Sequence, residues 1–128
     1  MKLNKIHHTA IICSNYEKSK HFYSEILGLK IINEIYREDR ASYKLDLQVG
    51  NYNQIELFSF PNCPKRLSYP EALGLRHLAF EVDDIEEAVN SLNSYYIEVE
   101  PIRIDEITNK KFVFFKDPDD LPIELYEA

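Results

Sequence analysis

The chain has 128 residues, a net charge of −7 and a pI near 5.1. This length fits one compact domain with its own core, and an acidic chain with scattered Lys and Arg does not favour binding to nucleic acid. No apolar run approaches the roughly 18–20 residues of a membrane span, and the first residues lack an apolar signal segment. We therefore expect a cytoplasmic protein with neither nucleic-acid nor membrane partners.

The first half of the chain predicts a βαβββ unit. An apolar strand within residues 6–13 leads into a helix predicted over residues 15–27. Ser14 followed by Glu17 is a capping-box pattern, and Gly28 is typical of a helix end. Three strand-like stretches follow the helix, at residues 29–37, 42–49 and 54–60.

The second half predicts the same order of elements. A strand within residues 75–82 precedes a helix over residues 84–94, for which either Asp83 or Asp84 can be the N-cap. Three further strands are predicted at residues 96–104, 111–116 and 122–127. The proline-rich residues 61–73 join the two halves.

Two motifs repeat in the two halves. A His-x-Ala sequence opens the first strand of each half, at His8 and His77, and an Ile-Glu-Leu sequence lies in the last strand of each half, at Glu56 and Glu124. The His-to-Glu spacing is almost the same in both halves. Because an internal repeat places two His and two Glu residues equivalently, we interpret these four residues as candidate metal ligands.

Strand alternation predicts which way these side chains point. His8, Ala10 and Ile12 share one strand face, whereas Thr9, Ile11 and Cys13 share the other. Each Glu lies between two apolar neighbours and so points away from them. The apolar face is expected to pack on the helix, and the His and Glu side chains are expected on the opposite face.

The remaining candidate residues have simpler interpretations. We expect His7 to point away from His8 and to be structural, and His21 to be solvated on its helix. Cys13 is predicted to lie in the core and Cys63 in a loop, both as free thiols, since two cysteines are too few for a disulfide framework.

The whole chain resembles the glyoxalase I-like members of the vicinal oxygen chelate superfamily, and in particular short bacterial lactoylglutathione lyase-like proteins. The resemblance rests on the His-x-Ala strand, a helix ending in Leu-Gly, the Ile-Glu-Leu strand, and a second unit ending in Asp-Pro-Asp-x-x-Pro-Ile-Glu-Leu-Tyr. It implies an α+β fold of paired βαβββ modules that form a cup-shaped mixed sheet, the glyoxalase/bleomycin resistance/dioxygenase fold. We expect a single domain over residues 1–128, made of a module 1–60, a connection 61–73 and a module 74–128.

The resemblance also implies a metal site and a reaction. By position, His8, Glu56, His77 and Glu124 would bind one divalent ion, Ni²⁺ or Zn²⁺ in the first place and Co²⁺ or Mn²⁺ as alternatives. The implied activity is that of a lyase or isomerase that moves a proton in a hemithioacetal or related α-hydroxy carbonyl through an enediolate. Glu124 would be the base, with Glu56 as its counterpart.

Other superfamily activities remain open on the sequence. Thiol transferases and ring-cleaving dioxygenases of the superfamily generally use two His and one Glu, so Glu56 is the residue that separates them from a glyoxalase. A non-catalytic small-molecule binding protein is a third possibility. For the substrate we select Arg103 and Lys110 as binding cations and Phe58 as an apolar lining residue, and family precedent implies a homodimer.

Overall fold

The computed structural model describes all residues, 1–128, and the chain divides into two compact units, Met1–Pro64 and Lys65–Ala128. The boundary falls inside the predicted connection. That the two units form a single domain stays a prediction. None of the helices combines the length and the apolar character needed to cross a membrane.

Unit 1 is a four-stranded mixed sheet with one helical segment. Its strands lie in the order β1-β4-β3-β2, with β1 parallel to β4 and the other pairs antiparallel. The elements are β1 (Thr9–Cys13), α1 (Tyr16–His21) with a π-helical turn (Phe22–Ile26), β2 (Lys30–Arg37), a 3₁₀ turn (Glu38–Arg40), β3 (Ser42–Val49) and β4 (Asn53–Ser59).

Unit 2 repeats this topology, with strands in the order β5-β8-β7-β6 and β5 parallel to β8. The elements are β5 (Leu78–Val82), α2 (Ile85–Ser94), β6 (Arg103–Ile104), β7 (Lys111–Lys116) and β8 (Pro122–Glu127). The predicted α+β class and the two βαβββ units are therefore confirmed.

Each unit buries one face of its sheet. Apolar side chains at alternate strand positions form the core together with residues from the helices, as period-two alternation requires. The buried apolar strand residues include Ile11, Cys13, Leu45, Leu47, Ile55 and Leu57 in unit 1, and Val113, Phe115, Ile123 and Leu125 in unit 2. Glu56 and Glu124, each flanked by two of these residues, consequently point to the other face.

Three local predictions were wrong. The first helix begins at Tyr16 and its N-cap is Asn15, not Ser14, because the Asn15 side chain accepts a hydrogen bond from the Lys18 backbone N–H. Its second half is π-helical, with the Leu27 N–H bonded to the Phe22 carbonyl, five residues back. Gly28 ends the segment as predicted, with a left-handed φ of 71°.

The third error concerns the strand predicted over residues 96–104. Only Arg103–Ile104 pair as a strand, and Val99 adds an isolated bridge to Phe115. Pro101 interrupts this stretch, and a proline has no N–H to donate to a ladder.

The structure also decides between the two candidate caps of α2, since the Asp84 side chain accepts a hydrogen bond from the Glu87 backbone N–H at 3.0 Å. We expect Asp84→Ala to lower the free energy of unfolding by about 1 kcal/mol, the usual cost of losing such a cap. The matched variant Asp83→Ala should cost less than about 0.5 kcal/mol, as for an exposed residue outside such features. Equal losses in urea unfolding would contradict the assignment.

Candidate metal centre

In unit 1, the pairing of β1 with β4 brings His8 to Glu56. Ala10 lies opposite Glu56 in this parallel pair, and His8 precedes Ala10 by two residues on the same face. His8 Nδ1 and Glu56 Oε2 are 3.5 Å apart, and the two side chains are 42% and 12% exposed. The predicted proximity of the first His–Glu pair is thus present.

Glu56 has further polar partners in unit 1. Gln54 Nε2 donates a hydrogen bond of 3.3 Å to Glu56 Oε2, and Lys44 Nζ lies 3.7 Å from Oε1. Lys44 is also paired with Asp46, 2.7 Å away, which lies directly opposite Glu56 in the β3–β4 ladder. The carboxylate of Glu56 is therefore held between a cation, an amide and an imidazole.

In unit 2, β5 and β8 bring His77 to Glu124 in the same way, with Ala79 opposite Glu124. His77 Nε2 and Glu124 Oε2 are 3.0 Å apart. The Arg76 guanidinium lies 3.1 Å from His77 Nδ1. Because a guanidinium can only donate, a neutral His77 accepts at Nδ1 and carries its proton on Nε2, facing Glu124.

Glu124 has an aromatic neighbour in its ladder where Glu56 has a charged one. Phe114 lies opposite Glu124 in the β7–β8 ladder, at the register position that Asp46 occupies in unit 1. Its ring meets the His77 ring edge-on, with the ring centres 5.1 Å apart. Glu124 has neither a lysine nor an amide partner, so the two pseudo-equivalent carboxylates differ in how firmly they are held.

The residues selected for substrate binding have different surroundings. The Arg103 guanidinium lies over the rings of Phe112 and Phe114, at 4.9 and 5.7 Å, and so reaches the neighbourhood of Glu124. Lys110 Nζ instead donates a 2.6 Å hydrogen bond to the Ala128 carbonyl. Phe58 is on the face of Glu56, stacked against another phenylalanine ring. The structure thus brings Arg103 and Phe58 to the His–Glu faces and engages Lys110 elsewhere.

Sequence reasoning missed part of this arrangement. Lys44 and Asp46 were not selected, although alternation along β3 places both on one face, because the β3–β4 register that sets them beside Glu56 is not visible in the sequence. Arg37 was not selected either, yet its guanidinium lies 5.0 Å from the Phe58 ring centre.

A short loop is anchored beside β8. The Tyr126 hydroxyl donates to Asp105 at 2.9 Å and also contacts Thr108. Hydrogen bonds from the Ile107 backbone N–H and from Tyr126 hold the pKa of Asp105 below its usual range. These bonds fix the connection between β6 and β7 next to Tyr126, which shares the strand face of Glu124.

The other polar candidates are now placed. Cys13 is buried, as predicted, and the Cys63 thiol lies 3.6 Å from the Phe60 carbonyl oxygen, while His21 is exposed on its helix. The prediction that His7 points away from His8 was wrong, because their Nδ1 atoms are 3.0 Å apart. His7 lies two residues before β1 begins, so strand pairing does not set the direction of its side chain.

The donor set can be tested against the metal that the sequence suggests. Each unit supplies one imidazole and one carboxylate in contact, a nitrogen and oxygen set that suits borderline divalent ions. Within either unit, no group of three or more His, Cys, Asp or Glu side chains is placed to hold a metal. Each His–Glu pair therefore supplies two donors, fewer than the three or four protein ligands of a zinc site.

Comparison with known proteins identifies the family. Residues 5–125 match the model of the Glyoxalase/Bleomycin resistance protein/Dioxygenase superfamily. The chain is 59% identical over 127 residues to the uncharacterized protein YwkD of Bacillus subtilis (strain 168), covering 99% of each. It is 55% identical over 125 residues to the uncharacterized protein YaeR of Escherichia coli (strain K12), covering 98% of this chain and 97% of that one.

Solved structures agree with this match. The glyoxalase family protein from Enterococcus faecalis superimposes with a TM-score of 0.90 at 50% identity, covering 99% of this chain and 100% of that one. Lactoylglutathione lyase from Agrobacterium tumefaciens gives a TM-score of 0.74 at 20% identity over 100% of this chain and 96% of that one, a likeness of fold alone. The chain therefore belongs to the glyoxalase/bleomycin resistance protein/dioxygenase superfamily and has its fold.

Proposed function

We propose that this protein is a metal-dependent, glyoxalase I-like lyase or isomerase acting on a hemithioacetal or a related α-hydroxy carbonyl. The observation that carries the proposal is the repeated His–Glu contact, once in each unit, at 3.5 and 3.0 Å. A single such contact is common as an ordinary ion pair. Its recurrence at equivalent strand positions, in a family that includes lyases, supports a shared role for all four residues.

The four residues would hold one divalent ion. In this proposal His8, Glu56, His77 and Glu124 are the ligands, with Ni²⁺ or Zn²⁺ favoured and Co²⁺ or Mn²⁺ as alternatives. When bound, such an ion supplies Lewis acidity that polarises substrate oxygens and acidifies the adjacent C–H. Protons would compete with the metal for the His77 nitrogen and the Glu124 carboxylate.

Glu124 is the proposed base. One of its carboxylate oxygens would accept the proton from the substrate carbon and then donate it to the neighbouring carbon, so that no proton is gained or lost overall. Its surroundings support this role, because its ladder partner is Phe114 and its ion pair is with His77 rather than with a lysine. Glu56, tied to Lys44 and Gln54, is better suited to a fixed ligand.

We assign the substrate contacts to side chains near the two His–Glu pairs. Arg103 would neutralise an anionic group of the substrate, and Phe58 would line an apolar part of the site. Lys110 could contribute only after releasing the Ala128 carbonyl, so we assign it a secondary role.

A thiol transferase or a dioxygenase is the second candidate function. The chain is 28% identical over 130 residues to the metallothiol transferase FosB of Staphylococcus saprophyticus, covering 97% of this chain and 77% of that protein. If Glu56 stayed bound to Lys44 and Gln54, the remaining ligands would be two His and one Glu, the set expected for those enzymes. A non-catalytic binding protein would use the same faces without turnover.

We also propose that the protein is a cytoplasmic homodimer whose partners are small molecules, with a thiol adduct as one candidate substrate. The edge strand β2 of unit 1 supports the proposal of a dimer. β2 is an edge strand whose apolar residues are exposed, and such edges are usually covered or paired. These residues are Ile31, Ile32, Ile35 and Tyr36.

The metal proposal predicts that His77→Ala and Glu56→Ala each weaken the binding of a divalent ion sharply, because each removes one ligand. His21→Ala, which removes an exposed helical histidine, is the matched control and should keep the parental affinity. Protons compete for imidazole nitrogen, whose ordinary pKa is about 6.5, so affinity should fall as the pH drops below that value. Metal titrations in which both ligand variants matched the parent would show that these positions are wrongly assigned.

The base proposal predicts that Glu124→Gln lowers turnover of a hemithioacetal or related α-hydroxy carbonyl by about 10²–10⁴-fold, the usual scale for losing a general base. Metal content must be measured in the same samples, since glutamine is also a poorer ligand. Glu98→Gln, at an exposed position, is the charge-matched control. Full activity of a metal-loaded Glu124→Gln protein would transfer the role of base to Glu56.

The assembly proposal predicts a particle of twice the 15.1 kDa chain mass in light scattering at micromolar concentration. Ile32→Lys should shift the protein toward the monomer, because it places a charge on the apolar edge strand. A parent protein that remained monomeric with metal bound would refute the dimer.

A further inference from the structure

Unit 1 contains a basic and aromatic cluster next to the His8–Glu56 pair. Arg37 ends β2 and its guanidinium lies over two rings of β4 and its extension, 5.0 Å from the centre of Phe58 and 5.8 Å from that of Phe60. The Arg40 guanidinium lies 5.4 Å from the centre of Phe60. Two cations thus share one aromatic platform.

Arg37 is held in place and keeps an unused donor. Its Nη2 donates a 3.1 Å hydrogen bond to the hydroxyl of Ser42, which is fully buried. Its Nε is also buried but has no hydrogen-bond partner. Neither Arg37 nor Arg40 takes part in an ion pair, although Glu38 and Asp39 lie between them in the sequence.

An orphaned donor on a fixed cation needs an explanation, since buried N–H groups are nearly always paired. The guanidinium fork matches the oxygens of a carboxylate or a phosphate. The guanidinium contacts the two Phe rings through its face, so its in-plane N–H groups are the donors that such an anion would bind. Packing alone would be satisfied by any long side chain and would not require the charge.

The cluster lies close to the proposed reaction site. Phe58 follows Glu56 by two residues on the same strand face, a separation of about 6.6 Å. Unit 2 has a comparable arrangement, in which Arg103 lies over Phe112 and Phe114 beside Glu124. An arginine over aromatic rings therefore accompanies the His–Glu pair in both units.

We propose that Arg37, supported by Ser42 and Arg40, forms an oxyanion subsite that binds a carboxylate or phosphate group. This subsite rests on the proposed function in one respect. If that function holds, the substrate carries such a group at about the spacing of two strand residues, ~6.6 Å, from the carbon that exchanges its proton. The subsite itself is a binding property and can be measured without turnover.

The direct test follows the arginine Nε–Hε resonances of the full chain by NMR during titration with sodium phosphate or sodium acetate, at ionic strength held constant with sodium chloride. The Arg37 resonance, assigned by its loss in Arg37→Lys, should shift and saturate. The Arg66 resonance is the internal control, because Arg66 Nε is already bonded to Ser68 at 2.8 Å. A larger response to phosphate identifies a phosphate group, and a larger response to acetate identifies a carboxylate.

A variant pair tests the same claim by affinity. Arg37→Gln should weaken binding of the responding anion by about tenfold or more, the scale of losing a charge-assisted hydrogen bond. Lys30→Gln, which removes one positive charge from the other end of β2, should leave it unchanged. If Arg37→Gln does not fold by circular dichroism, the wild-type NMR titration decides alone.

The proposal is overturned if the Arg37 resonance does not move with either anion, or moves only in parallel with that of Arg66. Because both measurements report binding, a protein that binds the anion but turns over no α-hydroxy carbonyl would keep the subsite and reject the proposed function. Turnover that depends on Glu124 without any Arg37 response would reject the subsite alone.

Discussion

The parallel pairing of the first and last strands in each unit is the constraint on which the candidate site depends. Ala10 is fixed opposite Glu56, and Ala79 opposite Glu124. Since a shift of one residue would turn every side chain to the other face, this register alone decides whether each His meets its Glu. Buried apolar neighbours on both sides of each Glu hold the register, because any slip would expose them and bury the carboxylate.

The same backbone arrangement carries different chemistry in the two units. Beside Glu56 the ladder presents Asp46 and Lys44, whereas beside Glu124 it presents Phe114. Glu56 contacts a lysine and an amide as well as its imidazole, whereas Glu124 has its imidazole as polar partner. This difference in partners is the basis on which we propose different roles for the two carboxylates.

The sequence predicted the fold and the two pairs because both depend on local periodicity and on a visible repeat. Strand alternation was enough to place His8 with Ala10 and to turn Glu124 away from Ile123. It was not enough for Lys110, whose long side chain bonds to the Ala128 carbonyl, or for Arg37, whose stacking depends on the register of β2, β3 and β4. The missing strand before Arg103 follows from Pro101, whose lack of an N–H outweighed the apolar pattern around it.

Whether the two pairs act as one centre is most directly tested by the imidazole nitrogen resonances of ¹⁵N-labelled protein during titration with Zn²⁺. If His8 and His77 bind the same ion, their resonances will shift together and the change will be complete at one equivalent per chain, while that of His21 stays in place. A shift of only one of the two histidines, or a change that is complete only at two equivalents, would contradict a shared metal centre.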